Sequence, residues 1–127
     1  MTGVQTCALP IYQDSAWFIN TKQRPCLVIT EDYLSAYRVR RDADSCDAVA
    51  LLRTTATEAT IAEILDRNYE TIQVCLDPDS AGRHGSKKLV KKLELLVPST
   101  TDIIEHHPVY EPKEMTPFDI DFHFNRK

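Results

Sequence analysis

From residue 25 onward, short runs of apolar and β-branched residues alternate with stretches in which apolar residues recur every three or four positions. The first pattern suits a strand and the second a helix with one buried stripe. Residues 26–30, Cys-Leu-Val-Ile-Thr, predict the first strand. Residues 32–40 predict a helix, with Leu34, Tyr37 and Arg38 at helical spacing, and residues 48–52 predict the second strand. Thr57 opens the next helix, whose stripe is Ile61, Ile64 and Leu65 and which closes near Asn68. Residues 71–76 predict a third strand, apolar on both faces as expected when helices cover both sides of a sheet. A long helix follows from Ser80 to Leu96, with Leu89, Leu93 and Leu96 facing one way and Arg83, Lys87 and Lys91 another, until Pro98 stops it. Residues 101–105 predict a fourth strand, and residues 111–116 a polar turn. This alternation predicts an α/β fold: a roughly four-stranded, mainly parallel sheet with helices on both faces.

At 127 residues the chain has room for one compact domain. No apolar run approaches the ~20 residues needed to cross a bilayer, so a membrane role is not expected. A net charge of −4 argues against holding nucleic acid by bulk electrostatics, so any basic patch must be local. Cys7, Cys26, Cys46 and Cys75 form no C-x-x-C pair and have no His at metal spacing; they read as thiols in a reducing cytoplasm, with Cys26 and Cys75 inside strands. Residues 1–11 fit neither period and lack the layout of a signal peptide. They resemble the translation of a sequencing-adapter oligonucleotide, which implies a natural chain continuing upstream of Tyr12 and gives Cys7 no role. The expected organisation is therefore an assembly artefact at 1–11, a linker or domain remnant at 12–24, the domain at 25–116 and a tail at 117–127.

In open parallel sheets functional groups collect at the carboxyl ends of strands, where loops diverge and helix N-termini point their amides outward. Glu31 and Asp77 both occupy such ends, and Asp79 lies two residues beyond Asp77. Three carboxylates at one edge repel unless a cation joins them, and hard oxygen ligands suit magnesium or manganese better than zinc. Acidic residues before a helix also serve as N-caps, so Asp-x-Asp alone leaves both roles open. Arg83, Lys87 and Lys91 form one basic stripe beside a second of His84, Lys88 and Lys92, readable as a solvated face or as phosphate contacts. Trp17 and Phe18 suit base stacking or packing. His106 and His107, being adjacent, cannot share a ligand face in a strand and receive no role.

The segment Asp77-Pro78-Asp79-Ser80-Ala81-Gly82-Arg83 at the end of the third strand, with Glu31 ending the first, resembles the Toprim pattern shared by primases, topoisomerases and some nucleases. Topoisomerases usually continue with Arg-Glu-Gly or similar, whereas Ala81-Gly82-Arg83 looks like the primase form. Ile29-Thr30-Glu31-Asp32-Tyr33-Leu34-Ser35-Ala36 likewise resembles phage primases, which tolerate Asp after the Glu. Residues 111–115 resemble a Lys-Asp-Pro-type segment, yet Glu111 and Lys113 stand where bacterial primases carry paired aspartates, which counts against Glu111 as a metal ligand. The resemblance implies a Toprim (Rossmann-like) domain of a phage-type DNA primase in the host cytoplasm, making RNA primers on single-stranded DNA from ribonucleoside triphosphates. It implies Mg2+ or Mn2+ held by Asp77 and Asp79, with Glu31 as ligand or general base, and nucleotide or nucleic-acid contacts from Gly82, Arg83, Lys87 and Lys88. A replicative helicase, fused or separate, is the implied partner, and the isolated piece is expected to be inactive. The alternatives are a Toprim nuclease or topoisomerase and a non-catalytic Toprim-like binding module.

Overall fold

The computed structural model describes residues 16–19 and 21–126. Strand β1 (Trp17–Phe18) is followed by β2 (Cys26–Thr30), α1 (Tyr33–Asp42), β3 (Cys46–Ala50), α2 (Glu58–Arg67), β4 (Thr71–Cys75), α3 (Ser80–Leu96), β5 (Asp102–Glu105), a 3-10 turn (Pro112–Glu114) and α4 (Pro117–Phe124). The sheet runs β1-β3-β2-β4-β5, parallel throughout except for the antiparallel edge strand β1. From β2 the chain moves outward to β3 and then returns to the opposite side of β2 as β4. The switch point of the topology thus lies between β2 and β4, where Thr30 pairs with Cys75 and the next residues are Glu31 and Leu76.

Each central strand is buried on both faces, so alternate side chains feed two cores. Val28, Ala48 and Cys75 meet Ala36 and Val39 of α1 and Ile120 and Phe124 of α4. On the other side Leu27, Ile29 and Val74 meet Ile61 and Ile64 of α2 and Leu89 and Leu93 of α3. Local signals set the helix starts: Asp32, Thr57, Asp79 and Thr116 each accept an amide of the first turn. Asn68 closes α2 in the left-handed region, at φ 57°.

Five expectations need correction. The sheet has a fifth strand, because Trp17 and Phe18 pair with Ala50 and Val49; the described part of the expected linker is therefore built into the domain. The second strand begins two residues earlier than its apolar run, since buried Asp47 is fully partnered: its carboxylate accepts the Lys22 amide (3.0 Å), the Arg24 amide (3.3 Å) and the Tyr69 hydroxyl (2.7 Å). The expected tail contains α4, whose Ile120 and Phe124 are buried one turn apart while Phe118 and Phe122 stay exposed. Helix α1 buries Ser35, Ala36 and Val39 and exposes Leu34 and Tyr37, the reverse of the expected stripe, because small side chains let it lie close to β3. Similarly, Leu96 is exposed at the end of α3.

Cys26, Cys46 and Cys75 are free and buried, and Cys7 lies outside the described residues, as does the adapter-like segment. Among the described residues no helix is long and apolar enough to cross a membrane.

Candidate metal centre

Glu31 leaves β2 and turns back across the switch point, where its Oε1 accepts the Asp77 backbone amide at 3.1 Å. Behind it, the Glu31 carbonyl accepts the Leu52 amide at 2.7 Å. Leu52 makes that bond from the left-handed region (φ 65°), which costs a residue with a Cβ about 1–2 kcal/mol and so shows how firmly this edge is constrained. Asp77 follows Leu76 of the β4 run, and Asp79 caps α3 by accepting the Gly82 amide at 2.7 Å. Gly82 itself is buried against the Asp77 carbonyl. The close approach it permits is therefore between α3 and the backbone of the site.

A loop returning from β5 completes the centre. Oxygens of Asp32, Asp77 and Glu111 lie within 4.8 Å of one another. Two like charges at such a separation repel by roughly 3–4 kcal/mol at an effective dielectric of ~20, so the cluster favours either protons or a cation. The carboxyl groups respond accordingly. Burial first, and then the charges of Glu31, Glu111, Asp32 and Asp79, push the Asp77 carboxyl up to about 7. Burial also raises Glu31, against the lowering effect of the Asp77 amide, and the charges of Asp79, Glu111 and Asp32 add to the rise. Asp32 moves the other way. Burial opposes its ionisation, but the Ser35 amide and the Lys113 ammonium together hold it below the usual carboxylate range. The donor set is hard oxygens, with Lys113 pairing Asp32 and Glu111 but not Asp77, and it fits a divalent cation of the magnesium or manganese type on the Asp77 side.

Of the three acids singled out in the sequence, Asp77 is central, Glu31 braces its amide, and Asp79 adds charge while capping α3. Of those three, only Asp77 belongs to the close cluster, which it forms with Asp32 and Glu111. Asp32 carried a readable N-cap signal, Asp followed by Ser35, whereas Glu111 is brought in only by the course of the returning loop. That loop is fastened to α1: Arg38 donates to the carbonyls of Lys113 (2.9 Å) and Met115 (2.5 Å), and the Lys113 amide donates to Ser35 Oγ (3.2 Å).

Beside Asp77 opens a cleft of about 330 Å3, lined by Asp77, Pro78, Gly82, Arg83, Ser86 and His107 among others. Arg83 reaches back to the Pro78 carbonyl at 3.1 Å. Lys87 and Lys91 are exposed one and two turns further along α3, about 6 and 12 Å from Arg83 along the axis, so only Arg83 of that stripe stands at the cleft. Lys88 lies on a neighbouring stripe, near Thr54 and Gly85.

His106, half-buried, lines the same cleft and is bonded on its inner side. Gln73, buried in β4, uses its amide Nε2 to donate to the Phe124 carbonyl (2.8 Å) and Cys26 Sγ (3.0 Å). Its Oε1 must then be the acceptor at 2.6 Å from His106 Nε2, which fixes the His106 proton on Nε2. Of the tyrosines, Tyr69 is buried on Asp47, whereas Tyr33, Tyr37 and Tyr110 are exposed.

Fold and site together define a class: an α/β domain with an acidic, cation-seeking centre at the switch point of a parallel sheet. A family model described as Toprim-like matches residues 29–113, more than half of the chain, and the chain belongs to that family. No curated protein and no solved structure matches it. Toprim-like domains occur in primases, nucleases and topoisomerases, enzymes that bind divalent metal and process nucleotides or DNA.

Proposed function

We propose that this chain is the Toprim portion of a phage-type DNA primase, which joins ribonucleotides into primers on single-stranded DNA by metal-dependent nucleotidyl transfer. The observation that carries the reading is the Asp77-Pro78-Asp79-Ser80-Ala81-Gly82-Arg83 turn at the end of β4, with Glu31 bonded to its first amide. The Ala-Gly-Arg ending is what favours primases over the other Toprim enzymes.

Asp77, with Asp79 and Glu31 beside it, would hold a magnesium or manganese ion, which supplies positive charge against the charge growing on phosphate. The residues of this chain do the rest. Glu31 holds Asp77 in place through its amide, and the raised affinity of its own carboxyl for a proton suits it to accept one from a 3′-hydroxyl. Arg83 meets phosphate oxygens at the mouth of the cleft, and Lys87 and Lys88 attract the more distant backbone of template or nucleotide. The catalytic unit takes in β1 and α4 together with residues 25–116, since both pack into the same sheet and core.

The test is incorporation of labelled ribonucleoside triphosphates on a single-stranded DNA template, using the full-length protein with its native upstream sequence. Incorporation should need Mg2+ or Mn2+ and disappear in both Asp77→Asn and Glu31→Gln. Incorporation that survives both substitutions would refute the assignment. Metal-dependent cleavage without incorporation would move it to a Toprim nuclease or topoisomerase.

A further inference from the structure

Lys113 places its ammonium inside the acidic centre. Its Nζ lies 2.9 Å from Asp32 Oδ2 and 3.0 Å from Glu111 Oε1, bridging two of the three clustered carboxylates. Asp32 has no oxygen left without a partner, since its Oδ1 already accepts the Ser35 amide at 2.7 Å. By contrast, Lys113 makes no ion pair with the Asp77 carboxylate. The centre thus has two unequal halves, one neutralised by the chain itself and one left with its charge.

Lys113 is also held more firmly than a surface lysine. Its amide and its carbonyl are both bonded to α1, through Ser35 and Arg38, and the turn that carries it is closed by the Glu114 carboxylate on the Glu111 amide at 3.1 Å. The two carboxylates raise the proton affinity of the ammonium, so it stays charged.

We infer that Lys113 is a resident cation of this centre, occupying the Asp32–Glu111 half so that the chain binds one divalent ion, on the Asp77 side, and not two. The inference rests on the metal-dependent reading of the site proposed above. A second dication would have to break the Lys113–Asp32 hydrogen bond and the Lys113–Glu111 ion pair, and expel a tethered positive charge into the neighbourhood of the first ion. An ammonium has three donors; Asp32 accepts one, and Glu111 lies in ion-pair range of a second. The third is available for a phosphate oxygen, which makes Lys113 a positioning group for an anionic substrate.

Counting Mn2+ bound per chain, by titration calorimetry and by electron paramagnetic resonance of the free ion, tests this without any activity assay. Wild type should bind one Mn2+ and Lys113→Arg one, while Lys113→Met should bind two. Metal-free Lys113→Met should also melt below wild type and regain the difference when Mn2+ is added. Two ions in wild type would overturn the inference and leave the metal-dependent reading standing. Lys113→Met holding a single ion at wild-type affinity would overturn it as well. No ion in wild type would remove both readings. Should Lys113→Met fail to fold, the counts for wild type and Lys113→Arg still decide, because two ions in either one contradict a resident cation.

Discussion

Replacing Gly82 by alanine tests how tightly the start of α3 is fitted to the metal centre. A Cβ at Gly82 would lie 2.0 Å from the Asp77 carbonyl oxygen, 2.9 Å from its carbon and 3.1 Å from its nitrogen. Carbon and carbonyl oxygen normally stay about 3.3 Å or more apart, so helix and strand end must separate by roughly 1 Å. The obstacle is backbone, and it is pinned by the Glu31 bond to the Asp77 amide, so no flexible side chain can yield instead. Overpacking of this kind costs about 1–3 kcal/mol, and a backbone contact belongs at the upper end. The better helix propensity of alanine offsets about 1 kcal/mol, leaving a net loss near ~2 kcal/mol. For a domain of this size that lowers the melting temperature by roughly 6–10 °C. Because Asp77 itself is displaced, Mn2+ affinity should fall by about tenfold or more, as a ligand set needs placement within ~0.5 Å.

Gly85→Ala is the control. Its Cβ would lie 2.2 Å from the Thr54 carbonyl oxygen, in a loop away from the acids. It should melt lower to a similar extent and bind Mn2+ as wild type does. The assays are thermal denaturation followed by circular dichroism and Mn2+ titration. Wild-type melting and affinity in Gly82→Ala would refute the close-fit reasoning, and equal loss of metal in both variants would reduce the effect to general destabilisation.

The metal-free protein should lose stability as pH rises from about 4 to 7 through the Asp77 carboxyl, whose value of about 7 in the folded state lies above its ordinary 3.8. In that window the native state binds more protons than the unfolded one, so raising the pH favours unfolding. Asp77→Asn should flatten that part of the stability profile; a slope unchanged in the variant would show that other groups set it. His106 behaves oppositely: burial first, then the charges of Arg126, His123 and His107, lower it to about 4 in the folded state. Stability linked to it is present above the ordinary value of 6.5 and lost as pH falls toward 4. Its ring proton resonances should therefore hold one shift from pH 7 down to about 5, and titration near 6.5 in the folded protein would contradict the buried bond to Gln73. On α1, Ala36→Leu should cost about 1–3 kcal/mol by overpacking against the sheet, and Leu34→Ala less than about 0.5 kcal/mol. Chemical denaturation of both variants reads which face is buried, and the reverse order would put Leu34 back in the core.

Much of the architecture was legible because it depends on neighbours along the chain. The apolar runs of β2 and β4, the Ser80–Leu96 helix and the caps Thr57 and Asp79 are local in origin: side-chain period, β-branching and an oxygen three residues before an amide. Those same local features put Glu31 and Asp77 at strand ends, and with the order of strands and helices that is enough to mark a sheet edge as the site.

What the sequence alone determined, then, was the parallel α/β frame and the acids that terminate its strands, since both follow from periodicity and capping within a few residues. Tertiary structure decided the rest. Asp47 could sit inside a strand only because Tyr69 and two amides of the preceding loop satisfy it. The outward face of Leu34 and Tyr37 was set by how near α1 could come to β3, which small side chains control and periodicity does not. Above all, the partnership of Lys113 with Asp32 spans 81 positions of sequence. It exists because Arg38 and Ser35 hold the returning loop against α1, a contact between distant segments that no local pattern encodes.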